Sequence, residues 1–182
     1  MMTHSQNDVL LEGRPVNNPE WSHENHGTQF YRFSLEVPRL SGTPDVLPVL
    51  LPEALLDRID SRGSLRIRGQ LRSFNNRSGV GNKLVLTVYA TDIQPGTGEP
   101  CNQILLAGSL CKPPIFRRTP LGRSICDLML AVRSSSLEVG DSLSLEGRVQ
   151  SRAYHKVTDS GTEERTAYEV SMMHLLEEET PL

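Results

Sequence analysis

Six basic residues, Arg62, Arg66, Arg68, Arg72, Arg77 and Lys83, fall in one 22-residue stretch with no acidic residue among them. Arg66, Arg68 and Arg72 share the even spacing that sets side chains on one face of a β-strand, and Phe74 extends that row. A second row, Arg148, Arg152 and Tyr154 with Lys156 beyond, has the same character. Between them, Lys112, Arg117, Arg118 and Arg123 stand unopposed around Phe116. Arg32 occupies the polar side of an alternating segment. Guanidinium groups in a line hold the phosphates of an extended polyanion, and aromatic faces interleaved with them stack on planar bases. The formal charge of −3 makes this a matter of local distribution rather than net attraction.

Other chemistries lack their residues. No G-x-x-x-x-G-K phosphate loop, paired-carboxylate constellation or nucleophile with a matching base is present, so no enzyme and no catalytic residue are expected. His23 and His26 sit three apart in a turn-rich stretch without a clear third ligand, so no metal and no cofactor are expected. Cys101, Cys111 and Cys126 are odd in number and form no C-x-x-C pair, which reads as reduced, mostly structural thiols. The N-terminal residues carry no apolar signal core, and the richest apolar stretch, Val46 to Leu56, is broken by Pro48, Pro52 and Glu53. These features predict a cytoplasmic location and no membrane partner.

The elements that must position the basic rows come twice. Laying Asn7 on Asn102 gives an ungapped offset of 95 that matches Gly13 with Gly108, Pro19 with Pro114, Gly27 with Gly122, Leu35 with Leu130 and Val37 with Val132. A second block matches Leu65, Ile67, Gly69 and Leu71 with Leu143, Leu145, Gly147 and Val149 at an offset of 78. A third pairs Leu86, Val88 and Ile93 with Tyr168, Val170 and Leu175 at 82. The fall from 95 to 78 makes the second copy 17 residues shorter between its first two blocks. In the first copy that stretch reads as a strand (45–51) and a short helix (52–59). A barrel does not close without an interior strand, so a segment is expected to be missing after Val132.

Each copy reads as strands: 8–16 as the first, 29–38 as the second with Tyr31, Phe33, Leu35 and Val37 inward, 65–74 as the fourth, and 83–93 as the fifth. Residues 17–27, rich in Asn, Pro, His and Gly, read as a turn. The expected fold class is mainly all-β: two tandem OB-fold five-stranded Greek-key barrels, each with a short helix between strands 3 and 4. The expected divisions are 1–94 for the first barrel, 95–101 for a linker, 102–176 for the second barrel and 177–182 for an acidic tail.

Asn102-Gln103-Ile104-Leu105-Leu106-Ala107-Gly108, the Pro114 loop with Arg118-Thr119-Pro120-Leu121-Gly122, and Leu128-Met129-Leu130-Ala131-Val132 together resemble the opening of bacterial single-stranded-DNA-binding proteins. Val139-Gly140-Asp141, Glu146 to Tyr154, Asp159 to Glu163 and Tyr168-Glu169-Val170 resemble that family's hairpin of strands 4 and 5, and Cys111-Lys112-Pro113-Pro114 with Arg118-Thr119-Pro120-Leu121-Gly122-Arg123 resembles the two-repeat form found in clostridial bacteria. The resemblance implies a base-stacking role for Tyr154, whose counterpart in the first copy is Asn76. It also implies sequence-tolerant binding and protection of single-stranded DNA in replication, recombination or repair, at the nucleoid. Four OB-folds per assembly would make a homodimer, with replication or repair proteins as further partners. The tail Glu177-Glu178-Glu179-Thr180-Pro181-Leu182 is acidic but lacks the family's Pro-Phe tip. An OB-fold protein–protein module of a primosome-like assembly is the second reading, and RNA binding the third. The residues expected to contact the strand are Arg32, Arg66, Arg68, Arg72, Phe74, Arg77, Lys112, Phe116, Arg117, Arg118, Arg123, Arg148, Arg152, Tyr154 and Lys156.

Overall fold

A computed structural model describes residues 7–77, 82–132, 142–159 and 161–176. The chain is mainly β. Its first half runs β1 (Asn7–Pro15), β2 (Glu20–Asn25), β3 (Thr28–Val37), β4 (Asp45–Pro52), a short 3-10 helix (Glu53–Arg58), β5 (Leu65–Asn75) and β6 (Leu84–Pro95). The second half runs β7 (Cys101–Leu110), β8 (Ile115–Arg118), β9 (Ser124–Asp127), β10 (Leu130–Ala131), β11 (Ser142–Thr158) and β12 (Gly161–Leu176).

Successive side chains point to opposite faces of a strand, and β3, β4 and β5 each bury one of them. On β4, Leu47, Val49 and Leu51 are fully buried, and on β3 so are Leu35 and Val37, with Phe33 nearly so. The pairings β1–β3, β3–β4, β4–β6, β6–β5 and β5–β1 close a ring around that core. Four of these pairings are antiparallel; β4 and β6 run parallel, with Val49 opposite Val88 and Leu50 opposite Tyr89. Leu55 of the 3-10 helix reaches the same core.

The two halves share one sheet because β1 pairs antiparallel with β7, from Asn7 opposite Leu106 to Glu12 opposite Cys101. Equivalent positions then repeat equivalent contacts. The Asn7 amide donates to Leu71 O at 2.8 Å and accepts from Leu71 N at 2.8 Å. Asn102 does the same with Val149, at 2.7 and 2.9 Å. A β-bulge falls between Arg68 and Gly69, and another between Glu146 and Gly147. These glycines are required by close approach: a Cβ on Gly69 would lie 2.1 Å from Tyr89 O, and one on Gly147 2.5 Å from Ser171 O. A second tie between the halves is Asp45, fully buried, which pairs with Arg39 and accepts from Ser151 N of β11 at 2.6 Å. Arg39 also donates to Ser151 O at 2.9 Å.

Two expectations need correcting. Residues 17–27 are not only a turn: β2 lies within them and pairs with β3. His26 and Gly27 supply the positive φ values, 48° and 77°, that a tight hairpin needs. The stretch from Lys112 to Arg123 likewise holds β8, hairpinned to β9 as a separate two-stranded sheet. In the second half the counterpart of β3 is split into β9 and β10, whereas β3 is held along its length by β4. The segment following Val132 and the acidic tail lie outside the described residues.

Glu12, 1% exposed, is a further constraint on the junction. Burial opposes its charge, but the Thr97 hydroxyl, the Gly98 N–H at 2.6 Å and the Arg66 guanidinium together hold its carboxyl below the ordinary carboxylate range. A carboxyl lowered by folding contributes stability that is complete above its unfolded value and is lost as pH falls through its folded value. Thermal melts across the acid range should therefore show a loss of stability that the Glu12→Gln variant no longer shows in that window. Gly69→Ala should cost about 3 kcal/mol, the upper end of ordinary overpacking, because the obstacle is backbone. Urea denaturation measures it.

Candidate nucleic-acid interface

The ring of the first half presents the outward residues of β2, β3, β4, β6 and β5 on one continuous surface. The pairings set their order: His23 lies opposite Phe30, Phe30 opposite Pro52, Leu50 opposite Tyr89, and Gln70 opposite Tyr89. The side chains meet accordingly. The His23 ring stacks on Phe30 with centroids 4.9 Å apart and planes 13° apart. Phe30 lies 6.2 Å from Tyr89 at a tilt of 47°. The Arg72 guanidinium carbon sits 3.6 Å above the Tyr89 ring. His23 and Arg72 are exposed and Phe30 and Tyr89 half-buried, so His23 and Arg72 form the outer layer of the strip and the two rings lie beneath them.

This strip combines flat π-faces with a cation held against one of them by its quadrupole. Arg32, exposed on β3, lies opposite Leu50 on the same face, and Phe74, also exposed, continues the β5 row beyond Arg72. Such a surface is suited to stacking planar bases and holding phosphates alongside. Trp21, exposed on β2, donates its indole N–H to Gln29 Oε1 at 2.5 Å. Sequence reasoning missed His23, Phe30 and Tyr89 as members of the site. The alternation of β3, which sets Phe30 on the polar side, and of β6, which sets Tyr89 between buried Val88 and Ala90, carried the signal.

The expected arginine row on β5 divides. Arg66 bonds Glu12 at 3.2 Å and Arg68 bonds Asp8 at 2.8 Å, both through carboxylates of neighbouring β1. The sequence shows no acid interleaved on β5, but the sheet supplies one from the adjacent strand. Arg66 thus belongs to the buried Glu12 cluster. Arg68 and Asp8 are both well exposed, and the hydrogen bond to Asp8 holds the guanidinium more strongly protonated than usual. An exposed pair of this kind is weak and open to exchange with a competing anion. Arg77 is exposed at the tip of the β5–β6 hairpin.

The second row is likewise balanced by acid. Arg152 lies 3.7 Å from Glu169 on β12, Gln150 donates to the same carboxylate at 2.7 Å, and Lys156 is opposite Glu163. Arg148 is half-buried on β11. Tyr154 donates its hydroxyl to Asn82 at 2.7 Å, while Asn82 also donates to Thr166 O at 2.5 Å. Tyr154 therefore ties the two long hairpins together, with Arg152 6.0 Å from its ring. On the β8–β9 hairpin, Phe116 is 79% exposed and Arg118 and Arg123 are also exposed, but Arg117 is engaged by Asp127 at 2.6 Å. Lys112 is exposed in the preceding turn. The structure brings together Arg32, Arg72 and Phe74 with the unexpected aromatics; Arg77 lies just past the end of β5, and the remaining expected residues form the Asp8–Glu12 cluster, the second-half row and a separate hairpin with the turn before it.

Asp8→Asn should release Arg68 without disturbing the fold. On a phosphocellulose column the variant should elute at higher salt than the parent. Unchanged elution would place Arg68 off the surface that polyanions reach.

No protein-family model matches the chain, and no curated protein matches it. Among solved structures it is similar to the wild-type single-stranded DNA binding protein from Thermus aquaticus, with a TM-score of 0.73 at 22% identity over 97% of this chain and 94% of that one. A deletion mutant of the Thermus aquaticus protein gives 0.70 at 24% identity over 96% and 97%. The N-terminal domain of PriB protein from Thermoanaerobacter tencongensis, solved as a dimer, gives 0.42 at 41% identity over 50% of this chain and 96% of that one. Over nearly its whole length, then, the chain has the fold of the Thermus aquaticus single-stranded DNA binding protein.

Proposed function

We propose that this protein binds single-stranded DNA with little regard to sequence and protects it during replication, repair or recombination, without catalysing a reaction. Its organisation on this reading is a pair of tandem OB-folds, 1–94 and 102–176, joined by a linker at 95–101. The first is a complete five-stranded barrel with a short helix between its third and fourth strands, and the second is the shortened copy. The observation that carries the reading is the strip His23, Phe30, Tyr89 and Arg72, contiguous across the outer face of the first barrel. Unpaired bases stack on such rings whatever their identity, whereas a duplex keeps its bases turned inward and gains nothing from them. The Thermus aquaticus protein of the same fold is named for binding single strands, which accords with this use of the surface.

Arg32, Arg72, Phe74 and Arg77 complete the primary contact surface, with Arg68 recruited once a phosphate displaces it from Asp8. Arg118, Arg123, Lys112 and Phe116 on the β8–β9 side, together with Arg148, Arg152 and Lys156, form a weaker second tract. The carboxylates of Glu163 and Glu169 reduce its pull on an anion. Two chains would assemble four OB-folds. The protein would act in the cytoplasm at the nucleoid.

Fluorescence anisotropy of labelled oligo-dT across a salt series tests the proposal. Affinity should fall steeply with salt, with a log–log slope of about −0.7 for each phosphate neutralised. Tyr89→Ala and Phe30→Ala should each weaken binding about tenfold, as expected from about 1–3 kcal/mol of stacking per base. Circular dichroism should show both variants folded. Indifference to salt, or equal affinity for duplex, would contradict the proposal.

A further inference from the structure

Among the described residues, the second half repeats the first but leaves part of its inner face uncovered. The registers of the two hairpins fix the equivalence: Gly69 is opposite Ala90 and Ile67 opposite Ile93, just as Gly147 is opposite Met172 and Leu145 opposite Leu175. In the first half Ala90 and Ile93 are 0% and 1% exposed; in the second Met172 and Leu175 are 45% and 52% exposed. Leu145 is buried, so Leu175 directly across from it lies on the inward side of the hairpin. What differs is the cover. In the first half β4 pairs in parallel with β6 at Val49–Val88 and Leu50–Tyr89, placing Leu47, Val49 and Leu51 over the core with Leu55 behind them. At the corresponding Val170 and Ser171, β12 pairs among the described residues with β11 alone.

We propose that this open face is a docking site for an extended aliphatic segment of another protein, lying parallel to β12 at Val170–Ser171. The segment completes the second half as β4 and the 3-10 helix complete the first. The repeat itself specifies the occupant's chemistry: a strand with Leu or Val at alternate positions, followed by a short turn of helix with another aliphatic residue. A sheet edge takes such a strand through its backbone groups, and alternate side chains fill the apolar face. A second copy of this chain does not fit the same geometry. Its own β4 is fully committed between β3 and β6, and a two-fold axis relating two β12 edges would pair them antiparallel. This surface is separate from the aromatic strip and does not depend on the DNA-binding reading.

The test uses the full chain and a fluorescein-labelled peptide copying residues 45–59. Anisotropy should show saturable binding, weakened at least tenfold by the double change Met172→Lys and Leu175→Lys. Both side chains are exposed, so this variant should keep its circular dichroism and its affinity for oligo-dT. A peptide with Asp at the positions of Leu47, Val49 and Leu51 should not bind, and hydrogen exchange at 170–173 should slow when the parent peptide is present. The proposal is overturned by absence of saturable binding or by binding that ignores the double variant. Sedimentation showing a dimer of this chain that the double variant dissociates would also overturn it, because a second copy would then cover the face.

Discussion

The parallel pairing of β4 with β6 is the contact on which the rest of the molecule depends. The other walls of the first half pair antiparallel, β1 reaching both β3 and β5, but this pairing joins β4 to β6 and removes two sheet edges at once. It seals Leu47, Val49 and Leu51 against Val88, Ala90 and Ile93 inside. Outside, it brings the Tyr89 strand alongside the strand facing Phe30, so that ring closure and the aromatic strip are two faces of one event. An unpaired sheet edge exposes backbone donors and acceptors, and natural β proteins cover or pair such edges.

Among the described residues, the second half has no counterpart of that contact. It keeps the Asn102 bridge to Val149, the bulge at Gly147 and the pairing of β7 with β11. It loses the continuous second strand, which breaks into β9 and β10, and its inner face remains partly open. Arg152 and Gln150 meet Glu169 on β12, whereas in the first half Arg72 lies over the Tyr89 ring. A duplicated sequence has thus given two unlike surfaces: a finished barrel with stacking groups and an unfinished one with an apolar inner face. The junction that unites them is backbone pairing of β1 with β7, reinforced by the buried Asp45 between Arg39 and Ser151.

Much of this was legible in the residues. The repeat registers, found from glycines and alternating aliphatic positions, match the hydrogen-bond pairs and bulges because those contacts are local consequences of side-chain type. The inward faces of β3 and β5 follow from period-two alternation. The 17-residue shortening led to the expectation of a missing segment after Val132, a place outside the described residues. What was not legible arises between strands distant in sequence. Asp8 and Glu12 neutralise Arg68 and Arg66 from 60 and 54 positions away, and Tyr154 is taken up by Asn82 from 72. The assembly of His23, Phe30, Tyr89 and Arg72 draws on four strands, so no window of sequence contains it. The strand within 17–27 was hidden because its hairpin signal, His26-Gly27, stood among other turn-forming residues.

The claim that the first half's aromatic strip is where an unpaired strand lies is tested most directly by photo-crosslinking. An oligo-dT carrying 5-bromouracil, bound to the intact chain and irradiated, is mapped by peptide mass spectrometry. Attachment should concentrate on Phe30, Tyr89 and Phe74. Crosslinks confined to 115–127 or 148–156, with none on β3 or β6, would contradict the account.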